Sequence, residues 1–504
     1  MKFVFSLFLV VISVSLFASS VNGFEGGDFK IKIGTYINGF TGSSSQLANL
    51  GNTISSTSTD PFAFTNNPAA ITGYDRLFSL EIAAPLYLDP SAFYDLENKV
   101  ENKINTLSSI GDDAVYPGLN MKIGQRGGFK NFAYNFSVQD KHRFGIAMQK
   151  AFYLDFELLG NGMKGIFEEE SGGDTTRVFL NSDLYSNLNI DVNSVNLCWA
   201  RTINQTLNLG IGLDILQGKI ASDATLLING AIRQQGAEAD IYQTFENPVD
   251  AQYFRNTLND SIFADLDFNL ISPQAGLNYQ PHENIYLDLV VQIPVSAKIN
   301  GEIDVVTHTL SALDAEELIA GGDDILDITQ FDPSKMTFTN RIRYQKKKMS
   351  LDYPGKVAFA FSYSKPKLDL ILSYEKSLGM LTVDYDGVIL EDGKRKVEGG
   401  FEFYETEKSR KYSLSLDLKH SIKFGLNLKN LFGAFDLSGG AQLFFIDYIT
   451  KNVDSRNDLY SQKNLLIPSA SGGFGFNLSR NLRYDCNLLS FPGPMLRSNL
   501  TYRF

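Results

Sequence analysis

Long stretches of strict two-residue alternation constrain this chain more than any other feature of its sequence. In the longest stretch, apolar or aromatic side chains, with His420 among them, occupy every second position from Tyr412 to Leu428. Small, polar or charged residues fill the positions between them. Successive side chains of a β-strand point to opposite faces, so the pattern predicts one strand with an apolar and a polar face. Only about 9–11 residues are needed to cross a bilayer, so we expect this strand to project beyond it.

About fourteen such segments occur along the chain, in line with the even strand numbers of single-chain bacterial barrels. We place them at 77–88, 119–138, 142–158, 192–200, 207–216, 264–279, 284–298, 353–364, 367–376, 412–428, 434–446, 468–478, 481–490 and 494–504. Short connections alternate with long ones such as 159–191 and 377–411. This alternation is typical of a barrel with short periplasmic turns and long extracellular loops. The pattern leaves open whether 337–344 is a further strand or part of a loop.

The sequence therefore predicts an all-β transmembrane protein, a closed antiparallel β-barrel over residues 76–504. Two of its long loops carry apolar residues at spacings of three and four, which is typical of amphipathic helices. These residues are Phe93, Leu96, Val100, Ile104 and Leu107 in one loop, and Val249, Tyr253, Phe254, Leu258 and Ile262 in the other. The apolar faces of these helices would either pack on the barrel rim or form a landing groove for a solute.

Both ends of the chain carry sorting features. Lys2 and an apolar run from Phe3 to Leu16 are followed by small residues, which predicts a signal peptide over residues 1–23, cleaved near Gly23. At the other end, the last alternating strand ends in Phe504, which is typical of a strand that the outer-membrane barrel-assembly machinery recognises. We therefore expect the mature protein in the outer membrane of a Gram-negative-type bacterium.

Composition argues against several other classes of protein. The formal net charge of −12 disfavours binding to nucleic acid, which requires a basic face. Two cysteines are too few for a disulfide framework, and the four histidines lie far apart in the sequence. We therefore predict no metal site and no cofactor. Since no catalytic groups cluster along the sequence, an enzyme is the least expected function.

Residues 24–75 are rich in Gly, Ser, Thr and Asn and end in the motif Asn67-Pro68-Ala69. This motif resembles the one that closes the N-terminal hatch of FadL/TodX-type transporters of hydrophobic compounds. The resemblance continues in order along the barrel, at 143–146, 194–219, 293–301, 353–358 and 365–368. The third of these segments lacks the family's tyrosine, arginine and serine.

The resemblance implies a barrel of fourteen strands plugged by a hatch over residues 24–75. It also implies passive uptake of hydrophobic molecules, namely long-chain fatty acids or hydrocarbons. Such solutes would be captured by outer loops, held in an apolar lumenal pocket and released past the hatch through the barrel wall. Within this scheme Asn67, Pro68 and Ala69 form the hatch motif. The residues expected to contact the solute are Phe62, Phe64, Phe93, Leu96, Val100, Tyr253 and Phe254.

Other functions remain open at this stage. A non-transporting outer-membrane barrel that acts as a binding or secretion-assembly scaffold is the main alternative, since such barrels also carry an Asn-Pro-Ala near the N-terminus. A porin for polar solutes is a further alternative. The partners expected for the first function are hydrophobic small molecules, outer-membrane lipid and lipopolysaccharide, and the assembly machinery acting on Phe504. We expect a monomer.

Overall fold

The computed structural model describes most of the chain. The described residues are 23–25, 28–37, 42–54, 57, 60–71, 76–85, 118–124, 128–139, 141–171, 174–235, 240–244, 259–310, 339–397, 400–431, 435–452, 461–490 and 495–504. Residues 1–22 of the predicted signal peptide and the first predicted loop helix, including Phe93, Leu96 and Val100, lie outside them. So do Tyr253 and Phe254.

Within these ranges β-strands dominate. They are β1 (Gly23–Glu25), β2 (Asp28–Ile37), β3 (Arg76–Pro85), β4 (Gly118–Gly124), β5 (Gly128–Val138), β6 (His142–Ser171), β7 (Asp174–Asn204), β8 (Leu207–Gln235), β9 (Asp240–Thr244), β10 (Asn259–His282), β11 (Ile285–Gln292), β12 (Val295–Lys298), β13 (Asn300–Leu310), β14 (Thr339–Tyr353), β15 (Gly355–Lys365), β16 (Leu368–Leu378), β17 (Leu381–Val397), β18 (Gly400–Leu431), β19 (Phe435–Asn452), β20 (Ser461–Asn477), β21 (Leu482–Leu489) and β22 (Met495–Arg503). The helices among the described residues are short: α1 (Ser45–Asn49), α2 (Ala63–Asn66) and the 3-10 helix Pro68–Ala70. None of them is long and apolar enough to cross a membrane.

Fourteen antiparallel strands close into a barrel. Some of them are broken into pieces: β11, β12 and β13 form the seventh wall strand, β14 and β15 the eighth, and β16 and β17 the ninth. The first wall strand is β3, and it pairs with the last, β22, in a register that sets Leu77 opposite Arg503. This pairing leaves no free edge in the ring, so the predicted closed barrel of fourteen strands is confirmed.

The two faces of the wall differ in polarity, as the alternation predicts. On β8 the outward side chains of Leu209, Ile211 and Leu213 are exposed, whereas the inward positions Gly210 and Gly212 are buried. The same holds in other strands, where buried inward residues are polar. Examples are Asn196, Gln274, Asp288, Arg483 and Asn487. A protein with an apolar outside and a polar inside suits a lipid bilayer.

Aromatic side chains gather near the short turns. Phe136 stacks on Phe144 at 5.3 Å between ring centroids, and Tyr502 packs edge-on against Phe504 at 4.9 Å. Transmembrane barrels carry such aromatic girdles at the membrane interfaces. The girdle places the short-turn end of the barrel at one surface of the bilayer.

Several segments predicted as loops are strands. β6 and β7 continue as a hairpin to Ser171 and Asp174, inside the predicted loop 159–191, and β17 and β18 fill most of 377–411. The prediction of loops is wrong there because the outward face of these extensions is polar, as at Asp183, Asn187 and Asn189 of β7. The apolar outward stripe therefore ends while the backbone ladder continues. The undecided segment 337–344 lies largely in β14, and Ile262 lies in β10, so the second predicted helix does not reach that residue.

The N-terminal part of the chain divides between the sheet and the lumen. β2 pairs antiparallel with β6 over 152–161 and parallel with β4. Residues 42–54, 57 and 60–71, by contrast, lie outside the sheet and are almost all buried. The prediction places all of 24–75 inside the barrel, but β2 belongs to the sheet.

The lipid-facing assignment makes a testable prediction. Ile211→Arg places a charge on the outward apolar face and should destabilise the folded barrel in bilayers by about 2–4 kcal/mol. Gln217→Arg, which lies on the same face of β8 but beyond its exposed apolar residues, should have little effect. Urea unfolding in lipid vesicles measures both variants. Equal stability of the two would contradict the assignment.

Candidate functional site

Residues 42–54, 57 and 60–71, here called the inner segment, occupy the short-turn half of the barrel lumen. Ser44 lies in extended backbone and caps α1, since its hydroxyl accepts a hydrogen bond from the Leu47 amide at 3.1 Å. The segment then turns through α2 and the 3-10 helix and is described as far as Ile71. Its elements contact β7, β8, β10, β19, β20, β21 and β22. These strands lie on opposite sides of the ring, so the inner segment extends across the lumen.

Wall side chains hold the backbone of the inner segment. Most are amides or guanidinium groups that donate to backbone carbonyls, which satisfies polar groups that would otherwise be buried without partners. The donors and their acceptors are Asn131 with Ser43 (2.6 Å), Asn135 with Pro61 (2.9 Å), Arg143 with Ile71 (2.8 Å) and Arg497 with Gly42 (3.0 Å). The polar lumenal face of the wall thus supplies hydrogen-bond donors to the backbone of the inner segment.

The motif Asn67-Pro68-Ala69 sits against β8 and β10. The Asn67 side-chain oxygen accepts from the Ala69 amide at 2.9 Å, and its amide donates to Asp288 at 2.8 Å. Pro68 starts the 3-10 helix, where its fixed φ is favourable. The motif therefore joins the inner segment to the wall.

Two wall glycines let the motif approach so closely. A Cβ at position 210 would overlap the backbone of Pro68, and one at position 276 would lie 2.9 Å from the Pro68 ring. Only glycine leaves room for the backbone there. The sequence showed these glycines inside alternating strands, but not which segment they face.

Phe62 and Phe64 form the apolar core of the inner segment. Both are fully buried, and they cluster with Leu47 and with small wall residues such as Ala133 and Ala147. Neither lines the cavity described below. In this structure they anchor the inner segment to the wall, and a contact with solute stays a prediction.

A buried ion pair joins three parts of the molecule. Arg497 on the last wall strand pairs with Glu81 on the first, and the same guanidinium donates to Gly42 of the inner segment. Breaking such a pair leaves an uncompensated buried charge. The alternation indicated that position 497 faces inward, but the pairing depends on barrel closure.

A cavity of about 140 Å³ lies between the inner segment and the mid-level of the wall. Its lining is mainly polar, where we expected an apolar pocket. The residues that line it are Ser43, Asn52, Ile54, Thr65, Asn66, Gln149, Ala151, Ser194, Asn196, Asp214, Leu216, Gln274, Gln292, Tyr353, Lys356, Glu375 and Lys423.

An apolar cluster adjoins this cavity on the side away from the short turns. Its buried members come from β7, β8, β10, β12, β14 and the residue between β12 and β13; they are Val192, Leu216, Ala264, Leu266, Phe268, Leu270, Ala297, Ile299 and Leu351. Leu216 also lines the cavity, and so do Ala151 and Tyr353, which pack on the cluster. The lumen thus offers a polar and an apolar compartment in direct contact.

The wall has an interruption beside the apolar cluster. β10 pairs with β13 up to Asp267 and with β11 from Gln274, but over 268–273 it has no partner strand on that side. The facing stretch runs from Ile293 to Ile299. One backbone hydrogen bond, from the Ile293 amide to the Pro273 carbonyl, joins this stretch to 268–273. We call this interruption the seam. Its inner side is formed by Phe268, Leu270, Ala297 and Ile299 of the cluster.

No group of three or more His, Cys, Asp or Glu among the described residues is arranged to hold a metal ion. Cys198 and Cys486 are both free; Cys198 is buried, with its thiol donating to the Pro68 carbonyl at 3.3 Å.

Gly210→Val tests the fit of the inner segment. The added side chain should displace Pro68 and destabilise the protein by about 1–3 kcal/mol. Limited proteolysis should then cut the inner segment at least several-fold faster. Gly439→Ala is the control, because the nearest atom to a Cβ there is 3.9 Å away. Equal protease resistance of both variants would show that the inner segment is not held at Gly210.

The buried carboxyl of Asp60 makes a pH prediction. Burial raises its pKa from 3.8 to about 6, although Ser44 and the Phe62 amide donate to it. The folded state therefore favours the protonated form. This contribution to stability, about 3 kcal/mol at most, is complete below pH 3.8 and is lost as the pH rises through 6. Asp60→Asn, which stays neutral, should flatten the fall in melting temperature between pH 4 and 7; an unchanged slope would contradict this.

The comparisons with known proteins concern overall structure. No family model matches the chain, and no curated protein matches it. A search of solved structures finds a FadL homologue of Pseudomonas aeruginosa at 12% identity, covering 92% of this chain and 98% of that one with a TM-score of 0.42. It also finds a TodX deltaS2S3 mutant monoaromatic hydrocarbon channel at 10% identity, covering 92% of this chain and 99% of that one with a TM-score of 0.44. A third match is the toluene transporter TodX of Pseudomonas putida at 8% identity, covering 90% of this chain and 94% of that one with a TM-score of 0.34. The predicted similarity to FadL/TodX-type structures is confirmed.

Proposed function

We propose that this protein is an outer-membrane channel for the passive uptake of hydrophobic molecules. The observation that supports this most directly is the apolar cluster inside the barrel, which touches the cavity on one side and the seam on the other. Sites for small hydrophobic ligands are concave and mostly apolar, with a few polar groups that fix orientation. Long-chain fatty acids and hydrocarbons fit the apolar part of such a site.

The inner segment acts as the plug in this proposal. It extends across the short-turn half of the lumen, and its polar contacts run to several wall strands. An unplugged barrel would conduct water and ions. The hatch motif Asn67-Pro68-Ala69 would keep the plug in place while solutes move above it.

The seam is the proposed exit. Unpaired peptide groups are costly in lipid, so the wall is weakest where β10 lacks a partner strand. The inner segment meets β10 lower down, at Gly276 and Leu277. A solute leaving between β10 and β12 would therefore pass into the bilayer without displacing the plug.

Capture at the outer surface is assigned to the loops. Phe93, Leu96, Val100, Tyr253 and Phe254 would supply the apolar landing surface, as their spacing predicts. The tall hairpins β6–β7 and β17–β18 would stand among lipopolysaccharide molecules.

Assembly of the barrel is assigned to its last strand. Phe504 is 67% exposed at the girdle, and its amide donates to the Arg76 carbonyl at 3.2 Å. An exposed terminal aromatic of this kind is available to the barrel-assembly machinery before closure.

Ala297→Trp tests the exit. A large side chain at the inner side of the seam should slow uptake of a hydrocarbon or a fatty acid into protein-containing vesicles by at least about tenfold, because it fills the apolar passage. Ala441→Trp, on an exposed position of β19, is the control. Uptake assays with a panel of both solute classes measure the effect. If wild-type protein accelerates none of them, the proposed function is wrong; if A297W transports at the wild-type rate, the exit lies elsewhere.

A further inference from the structure

We propose that the cavity recognises an uncharged head group that both donates and accepts hydrogen bonds, such as the hydroxyl of a long-chain alcohol or the amide of a fatty amide. This inference rests on the proposed function and names its substrate class as neutral amphiphiles. It follows from the charges and the hydrogen bonds of the cavity.

The ionic groups of the cavity balance one another. The Lys423 ammonium donates to Glu375 at 2.9 Å, and the Lys356 ammonium lies 3.9 Å from the other oxygen of the same carboxylate. Asp214 supplies the second negative charge. Two cations and two anions leave no net charge to attract an ion from water.

Asp214 makes the cavity unfavourable for a carboxylate. Ser194 and Asn196 donate to its side chain, the latter at 2.6 Å, and no lysine lies within ion-pair distance of it among the described residues. A bound carboxylate would add a third anion beside Asp214 and Glu375. Because the lining is partly desolvated, this repulsion would be stronger than in water.

Neutral polar groups, by contrast, are available. Within the described part of the chain, neither the Gln274 amide nor the Tyr353 hydroxyl has a hydrogen-bond partner, and both line the cavity. The Gln292 amide donates to Ser272 at 2.9 Å, which leaves its oxygen as an acceptor. A hydroxyl or amide can both donate to and accept from such groups, whereas an alkane leaves them unpaired.

The position of these groups fixes the direction of the molecule. Tyr353 and Leu216 belong to the cavity lining and also touch or form the apolar cluster. A head group bound at Gln274 and Tyr353 would therefore place its chain among Leu216, Phe268 and Leu351. The chain would extend towards the seam.

Binding of three twelve-carbon probes tests the inference: dodecanol, dodecanoate at pH 8 and dodecane. The intact protein in lipid nanodiscs is compared with protein-free nanodiscs by equilibrium partitioning. We expect dodecanol to bind about tenfold tighter than either of the others, since buried polar groups reject analogues that leave them unpaired. Dodecanoate binding as tightly as dodecanol would overturn the inference.

Two variants locate the effect. Asp214→Asn removes one anion and should improve dodecanoate binding about fivefold, whereas Asp265→Asn, an exposed carboxylate paired with Lys219, should not. Tyr353→Phe should weaken dodecanol binding and spare dodecane. If neither variant changes the order of the probes, the cavity is not the head-group site. Equal binding of all three would leave the channel proposal standing, whereas binding and transport of none would defeat both.

Discussion

Lipid offers no hydrogen-bond partner to a peptide group, and this constraint shapes the whole molecule. A sheet that crosses the bilayer must close on itself, which β3 and β22 achieve in this chain. Closure turns the usual distribution of side chains inside out, so that leucines and isoleucines face lipid and amides and charges face inward. Those inward groups in turn need partners, and the polar inner segment provides many of them.

The seam is the place where this constraint is relaxed. Pro273 and Pro294 lie within it, at its lower end, and proline cannot donate a ladder hydrogen bond. Pro354 interrupts the neighbouring strand, between β14 and β15, at the same level. The breaks also shift which positions of the strand face inward. Below the breaks the even-numbered residues Val290 and Gln292 face inward, and above them the odd-numbered residues Ala297 and Ile299 do. One set of breaks thus opens the ladder and turns apolar residues into the lumen.

The sequence was informative wherever one face of a strand meets lipid. Leu209, Ile211 and Leu213 could be assigned outward from alternation alone, since the bilayer selects for it. Above the bilayer no such selection acts, so the sequence pattern predicts loops where the structure has the extensions of β6 and β18. The cavity was beyond prediction for another reason. Asp214, Tyr353 and Glu375 lie on strands distant in sequence, and only the register of the closed barrel brings them together.

The order of layers along the barrel axis links these features to function. The polar layer that binds the inner segment lies nearest the short turns. The cavity lies above this layer, and the apolar cluster lies next to the cavity and beside the seam. An apolar solute alone would gain nothing from the middle layer, because Gln274 and Tyr353 would lose water without replacing it. A molecule with one polar end can use both compartments at once. The layering therefore favours amphiphiles over plain hydrocarbons, and the balance of charge around Glu375 favours neutral ones among them.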